Sequence, residues 1–531
     1  MSELQPTFDL LTALAEHAAH RPHAIAWRAD EPRGSATWRE WAGIVERLSA
    51  LIVKAGVRPG TTVGYRGTNH PIAWSLALAC ARVGASFWPL NYRWSARELG
   101  LALEALPFEI SALIVEGDAS ASTHEAITRA FGENPTLRAR MMDRDALWAD
   151  GVCDRSQYET ARRPSGATVH QNDDLNAPWI IMSTGGTTGL PKQVAHTRWT
   201  LAHNARQFLE MTQLRADEPV LVVAPNFHVA GFSALTAAAI ATGAPLQIAS
   251  RFKPGELLQS IGRGEVRSAV MVPTMWRALF DATRRCETTL SPLRFGICGG
   301  APMPPSYVDE ARTLGFELLQ GYGMTEAGPM VTLMPPGTLE ADDPRRASAG
   351  IPPRDVDVWI ESPQGRRLPA GKSGQIVVRG PQLATAYLGE SSDFSKAFRG
   401  DGGVYLTGDF GHLDNQGFLY IEGRLDDVII TGGENVAPAE IESRLVEHPE
   451  VSQAAVLGVA DPHWGQKIVA LMCPARPAHP PTPSALIEHL RPQLAGYKLP
   501  RDLRFCDTLP LTSAGKIDRP ALVKLWQRLA T

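Results

Sequence analysis

The 531-residue chain has few lysines, 9 against 43 arginines, and its formal net charge is −4. Without a positive excess it lacks the electrostatic footprint of a nucleic-acid binder. Its six cysteines, at 80, 153, 286, 298, 473 and 506, are scattered and form no CxxC pair. That spacing speaks against a disulfide framework or a zinc site and fits a reducing cytosol. No run of about 18 apolar residues occurs, since "SLALACARVGASFW" is broken by Arg82. The opening "MSELQPTFDL" has no basic-then-apolar signal pattern. The expectation is a cytoplasmic protein with no membrane span. Internal repeats and long low-complexity segments are also missing.

What is present is an ordinary globular composition, 44% apolar and 20% charged, in a chain too long for one domain. Up to about Gly117, short apolar runs alternate with amphipathic stretches. "TWREWAGIVERLSALIVKAG" has helical spacing and ends at a glycine. "TVGYRG" reads as a strand, "PIAWSLALACARVGA" as a helix, "SFWPL" as a strand, and "SARELGLALEA" as a helix with a Ser cap. This alternation predicts α/β layers with a mostly parallel sheet. After the polar segment 162–176, "PWIIMSTGG" reads as a buried strand entering a loop. "PVLVVAP", "PLQIAS", "SAVMVP" and "RFGICGG" predict a second α/β unit. From about Ala349, "DVDVWIE", "GQIVVRG" and "GFLYIEG" read as an antiparallel patch. From about Asp426, helix and strand patterns predict a small α+β domain.

The loop "STGGTTGLPK", 183–192, is too glycine-rich for a helix and too polar for a core strand. Glycines let backbone N–H groups converge on an anion, and the threonine hydroxyls and Lys192 add donors and charge. Phosphate is the natural guest. The run is not a P-loop, because Lys192 stands between Pro191 and Gln193. Taken alone, it reads equally well as a surface turn.

Four further segments follow in order: "GYGMTE" (321–326), "YLTGD" (405–409), "GRLDDVIITGGENVAPAEIE" (423–442) and "PLTSAGKIDR" (510–519). Together with the loop they resemble the ordered motifs of the adenylate-forming superfamily. Its members include acyl-CoA synthetases, peptide-synthetase adenylation domains and luciferases. The subgroup nearest in motif is that of coumarate- and halobenzoate-CoA ligases, and the resemblance covers nearly the whole chain. It implies a large N-terminal ATP- and acid-binding domain, 1–425, of two α/β subdomains and a β-subdomain. A small mobile α+β domain, 426–531, would follow. It also implies two half-reactions: a carboxylate attacks ATP to give acyl-AMP, then a thiol displaces AMP.

The resemblance carries roles onto matching positions. Thr184, Gly186, Thr187, Thr188 and Lys192 would cradle the β- and γ-phosphates, although Gly185 stands where a serine is common. Glu326 would hold Mg²⁺, which suits a hard carboxylate, and Thr325 would donate to the α-phosphate. Tyr322 would stack on adenine, with Gly299, Gly300, Ala301, Pro302 and Gly323 lining the nucleotide site. Asp409 would accept the ribose hydroxyls, and Arg424 would approach the ribose or phosphate. Lys516 would bridge the carboxylate and the α-phosphate, then leave as the small domain rotates about Asp426. Gly432 and Gly433 would make room for a pantetheine arm. Trp464 reads either as a platform for the adenine of CoA or as an ordinary buried tryptophan. Lys498 and Arg501 read either as partners of CoA phosphates or as surface charges.

In "PNFHVAGF", His228 stands where amino-acid-activating relatives carry an aspartate, so an α-amino acid is not expected; in CoA ligases this position gates the carboxylate. Val229, Ala230, Val270, Gly299, Gly321, Gly323 and Gly328 match the family's acyl pocket. Small and uncharged, they predict a bulky apolar acid: aryl, arylalkenoate, alicyclic or medium-chain. The chain ends 12 residues after Arg519 without an appended carrier domain. That favours free CoA as acceptor, with a separate carrier protein as the alternative. A luciferase-like or adenylation-only enzyme stays open. A dead nucleotide-binding relative is disfavoured by the presence of Lys516, Glu326, Asp409 and Thr188. The oligomeric state, a homodimer among the options, is not set by the sequence.

Overall fold

The computed structural model describes residues 9–104, 106–117, 124–125, 127–129, 137–149, 174–184, 192–340, 342–389, 397–400, 403–431, 434–477, 480–511 and 517–530. The fold is α/β: a large N-terminal region built on two mostly parallel sheets and an antiparallel sheet, then a smaller α+β region.

The first sheet has eight strands, in the order Met330–Leu333, Glu317–Gly323, Phe295–Cys298, Ser268–Met271, Val220–Val222, Leu246–Ile248, Ile25–Ala29 and Gly34–Thr37. All neighbours are parallel except the outermost pair at each edge. The second has seven, in the order Ala386–Leu388, Lys192–Thr197, Pro178–Thr184, Ser86–Pro89, Thr62–Arg66, Ile110–Val115 and Leu137–Asp143. Its last five strands are parallel. Lys192–Thr197 runs antiparallel to both of its neighbours.

Local chemistry sets the helices as the sequence patterns predict. Thr37 and Glu40 form a capping box on helix Trp38–Lys54, whose Trp38, Trp41, Ile44, Val45, Leu48 and Ile52 are buried. Helix Pro71–Val83 starts on a proline, ends at Gly84 with φ +80°, and is buried almost all round. It lies between the sheets, where Trp74 Nε1 donates to the Phe232 carbonyl at 3.1 Å and the two rings stack. One continuous apolar core therefore spans both sheets.

An antiparallel sheet follows: Asp357–Glu361, Gly374–Arg379, Val404–Leu413 and Phe398–Arg399, with Leu419–Arg424 added on Val404–Leu413. The last sheet joins Glu434–Val436, Ile429–Thr431, Gly465–Pro474 and Val451–Asp461, with Asp502–Phe505 parallel to Gly465–Pro474. Helices Pro438–Val446 and Pro483–Leu490 share one apolar cluster of this sheet, and helix Arg519–Ala530 belongs to another. No helix among the described residues is long and apolar enough to cross a membrane.

Packing in the first sheet is tight at Gly296. A Cβ there would lie 2.3 Å from two ring atoms of Trp276, which is fully buried. Gly296→Ala is expected to lower stability by about 1–3 kcal/mol. The urea unfolding midpoint reads this, and an unchanged midpoint would mean that the Trp276 ring moves aside freely.

Candidate active site

Ligand sites in open α/β sheets form beyond the carboxyl ends of the parallel strands. Several residues singled out by motif lie at or just after the ends of such strands, Pro178–Thr184, Phe295–Cys298 and Glu317–Gly323. Strands Pro178–Thr184 and Lys192–Thr197 form a hairpin in which Thr184 and Lys192 are cross-strand partners. The hairpin is braced from below: Trp88 Nε1 donates to Ser183 Oγ at 3.1 Å, and Ser183 donates to Gln193 at 2.8 Å. Gly186, Thr187 and Thr188 lie outside the described residues.

Strand Glu317–Gly323 delivers Tyr322 and then breaks into the short turn Thr325–Ala327. The Tyr322 hydroxyl donates to Asp409 Oδ2 at 2.5 Å, and Arg424 Nη1 donates to Asp409 Oδ1 at 2.9 Å. Asp409 and Arg424 are cross-strand partners, so the sheet itself sets this pair. Burial, and then the charge of Asp409, push the Tyr322 phenol far above its ordinary range, so it stays a donor. Asp409 is 8% exposed. Each of its oxygens has spent one acceptor position on these bonds, which leaves capacity for a pair of hydroxyls.

Glu326 is 9% exposed and accepts from the Tyr387 hydroxyl at 2.7 Å. Tyr387 comes from the short strand Ala386–Leu388, paired to the edge of Lys192–Thr197. Lys192 Nζ stands 5.2 Å from the centre of the Tyr387 ring. One tyrosine thus connects the hairpin lysine to the Glu326 carboxylate. His196 fixes the turn from below, with Nε2 at 2.6 Å from the Thr325 carbonyl. A carbonyl only accepts, so Nε2 carries the proton; burial lowers the imidazole to about 4, which keeps it neutral. Tyr387 and His196 carry no motif signal in the sequence. Their partners are 61 and 129 residues away.

His228 precedes helix Val229–Phe232. Ser233 Oγ, just after that helix, donates to the Gly328 carbonyl at 2.9 Å and ties this segment to the Glu326 turn. Ala230 and Val270 line one small cleft with Leu221, Val223, Leu235 and Thr236. Val229 is buried.

The glycines read from sequence as pocket positions sit in close backbone contacts or turns. A Cβ on Gly323 would lie 1.8 Å from the Pro329 carbonyl oxygen. This glycine lets two backbone segments touch. Gly328 has φ +74° and faces the Gln382 carbonyl and His196. Its identity follows from its backbone angle. Gly299 faces the Gly321 carbonyl at 3.2 Å, and Gly321 faces Leu333 and Ile297. Gly300 adopts φ +82°, while Ala301 and Pro302 are exposed after the strand end.

In the smaller region, Asp426 sits in the turn Leu425–Asp427 that joins the antiparallel sheet to the last one. Gly432, Gly433 and Lys516 lie outside the described residues. Trp464 is half-buried, with the Arg501 guanidinium 3.7 Å from its ring centre. Lys498 donates to both oxygens of Glu440 at 2.7 Å, so its charge is already paired.

Residues 14–388 match the family described as AMP-binding enzyme, and residues 440–516 match the AMP-binding enzyme C-terminal domain. A feruloyl-CoA synthase of an Amycolatopsis species is 35% identical over 93% of this chain and 94% of its own. An indoleacetate–CoA ligase of Aromatoleum aromaticum is 31% identical over 98% of each. The solved structure of o-succinylbenzoate CoA synthetase from Bacillus subtilis, in complex with its acyl-adenylate, superposes with a TM-score of 0.82. It is 28% identical and covers 96% of this chain and 97% of that one. The chain belongs to the AMP-binding enzyme family, as a ligase of the AMP-forming acid–thiol type.

Proposed function

We propose that this enzyme activates a bulky apolar carboxylic acid, aryl, alicyclic or medium-chain, as its acyl-adenylate and transfers the acyl group to CoA. The carrying observation is the uncharged wall that Ala230 and Val270 share with Leu221, Val223, Leu235 and Thr236, in which Thr236 is the one polar side chain. A second carboxylate would find no cation among these residues. Two relatives are named for ring-bearing acids, feruloyl and indoleacetate.

In this reading an oxygen of the acid attacks the α-phosphorus of ATP, forming the acyl–O–P bond as pyrophosphate departs. Lys192 and the hairpin would hold the phosphate oxygens, and Asp409 with Arg424 would hold the ribose. Thr325 would donate to the α-phosphate, and Tyr322 would pack on the adenine. Glu326, a hard carboxylate already oriented by Tyr387, suits Mg²⁺. When bound, the ion would neutralise charge on the phosphates. His228 would meet the substrate carboxylate, and Lys516 would bridge it to the α-phosphate. The thiol sulfur of CoA then attacks the acyl carbon, and the acyl–O bond to AMP breaks. For that step the unit 426–531 would turn about Asp426, bringing Gly432 and Gly433 to the pantetheine arm. Trp464, paired with Arg501, would face the CoA nucleotide. A carrier protein as acceptor is the second reading, favoured by a 28% identical relative named as a fatty acid–[acyl-carrier-protein] ligase.

Pyrophosphate release with Mg·ATP and CoA should be faster for ferulate, indoleacetate or octanoate than for acetate or succinate. Apolar surface that the acid buries on binding contributes about 25 cal/mol per Å². A preference for succinate would overturn the apolar-acid reading, and formation of ADP would overturn adenylation itself.

Gly323→Ala gives a second test. With no room for a Cβ beside Pro329, the variant should lose ATP affinity by more than about tenfold for every acid. Titration with ATP alone measures it. Unchanged ATP affinity with a shifted acid preference would place Gly323 in the pocket wall instead.

A further inference from the structure

Two asparagines that the mechanism does not use lie under the His228 segment. Asn69 follows strand Thr62–Arg66 of the seven-stranded sheet, and Asn226 follows strand Val220–Val222 of the eight-stranded sheet. Both are 2% exposed or less. Asn69 Nδ2 donates to the carbonyls of Ala224 at 3.0 Å and Ala249 at 3.2 Å. Its Oδ1 accepts from the Asn226 backbone N–H at 2.9 Å. Asn226 returns the arrangement, its Nδ2 donating to the carbonyls of Gly67 at 3.1 Å and Thr68 at 3.0 Å. Each side chain thus satisfies backbone groups of the other sheet's loop.

The segment they hold is compact. The His228 N–H donates to the Pro225 carbonyl at 3.0 Å, closing the turn. A Cβ on Gly231 would lie 2.3 Å from the Pro225 carbonyl oxygen and 2.5 Å from that of Ala224, so the turn and the following helix are in close contact. The cleft wall formed by Ala224, Ala230 and Gly231 belongs to this same segment. Phe227 packs edge-on against Tyr92. Displacing residues 224–226 therefore displaces His228 and one wall of the cleft together.

We infer that Asn69 and Asn226 form a latch between the two sheets that positions His228 and the adjoining cleft wall for the acid. They are positioning residues: neither touches the reacting atoms. The inference rests on the proposed role of His228 at the substrate carboxylate. The nucleotide is held by other contacts, those of Tyr322, Asp409, Arg424 and the hairpin, so loosening the latch should be felt by the acid and not by ATP.

The test is a double-mutant cycle on the full chain, with ferulate as the acid and pyrophosphate release as the readout. Asn226→Ala should raise the KM for ferulate about tenfold while the KM for ATP stays within about twofold. His228→Ala should also raise the ferulate KM. Adding Asn226→Ala to it should then change little, because the latch acts through the segment already disabled. Where the alanine variant does not fold, Asn226→Ser retains a donor toward the Thr68 carbonyl and should show the same pattern at smaller size. Equal rises in both KM values, or full additivity on the His228→Ala background, would overturn the latch. An unchanged ferulate KM in His228→Ala alone would instead overturn the role of His228, and the latch function with it.

Discussion

Two carboxylates, Glu326 and Asp409, sit almost out of reach of water, and an ionised carboxylate in that position needs donors around it. The phenols of Tyr387 and Tyr322 and the guanidinium of Arg424 supply them. Each donor leaves acceptor capacity on its carboxylate, so the groups are oriented without being saturated. A site for a nucleoside triphosphate needs this balance. Fully paired carboxylates would bind nothing, and bare ones would not stay charged in a buried position.

The fold serves these bonds by bringing its sheets to one place. Asp409 and Arg424 come from the antiparallel sheet, Tyr322 and Glu326 from the end of a strand in the eight-stranded sheet and the turn after it, and Lys192 from the seven-stranded sheet. Tyr387 lies beyond the first two strands of the antiparallel sheet in sequence but pairs on the hairpin edge, and so crosses between the units. The close approach of Gly323 to Pro329 and the His196–Thr325 bond then fix the turn that presents Glu326. The supports of the site thus come from several sheets at once.

Periodicity and turn residues made the architecture legible. Helices Trp38–Lys54 and Pro71–Val83 and the short parallel strands fall where apolar spacing and caps place them. The motifs likewise named Asp409, Arg424, Tyr322 and Glu326, and these residues do converge. What sequence could not show is where an absent side chain would point. Gly323 lets two backbone segments touch and Gly328 takes a left-handed turn, and neither constraint is spelled out by the motif. Nor could it show Tyr387, His196, Asn69 or Asn226. Each acts through a partner far away in the chain, and no local pattern marks a side chain whose role is set by another segment.

Oxygen transfer tests the central claim most directly, since adenylation moves an oxygen of the acid onto phosphorus. Ferulate labelled with oxygen-18 in its carboxylate, turned over with Mg·ATP and CoA, should give AMP carrying one labelled oxygen, seen by mass spectrometry. Unlabelled AMP, or label in inorganic phosphate, would contradict attack of the acid on the α-phosphorus.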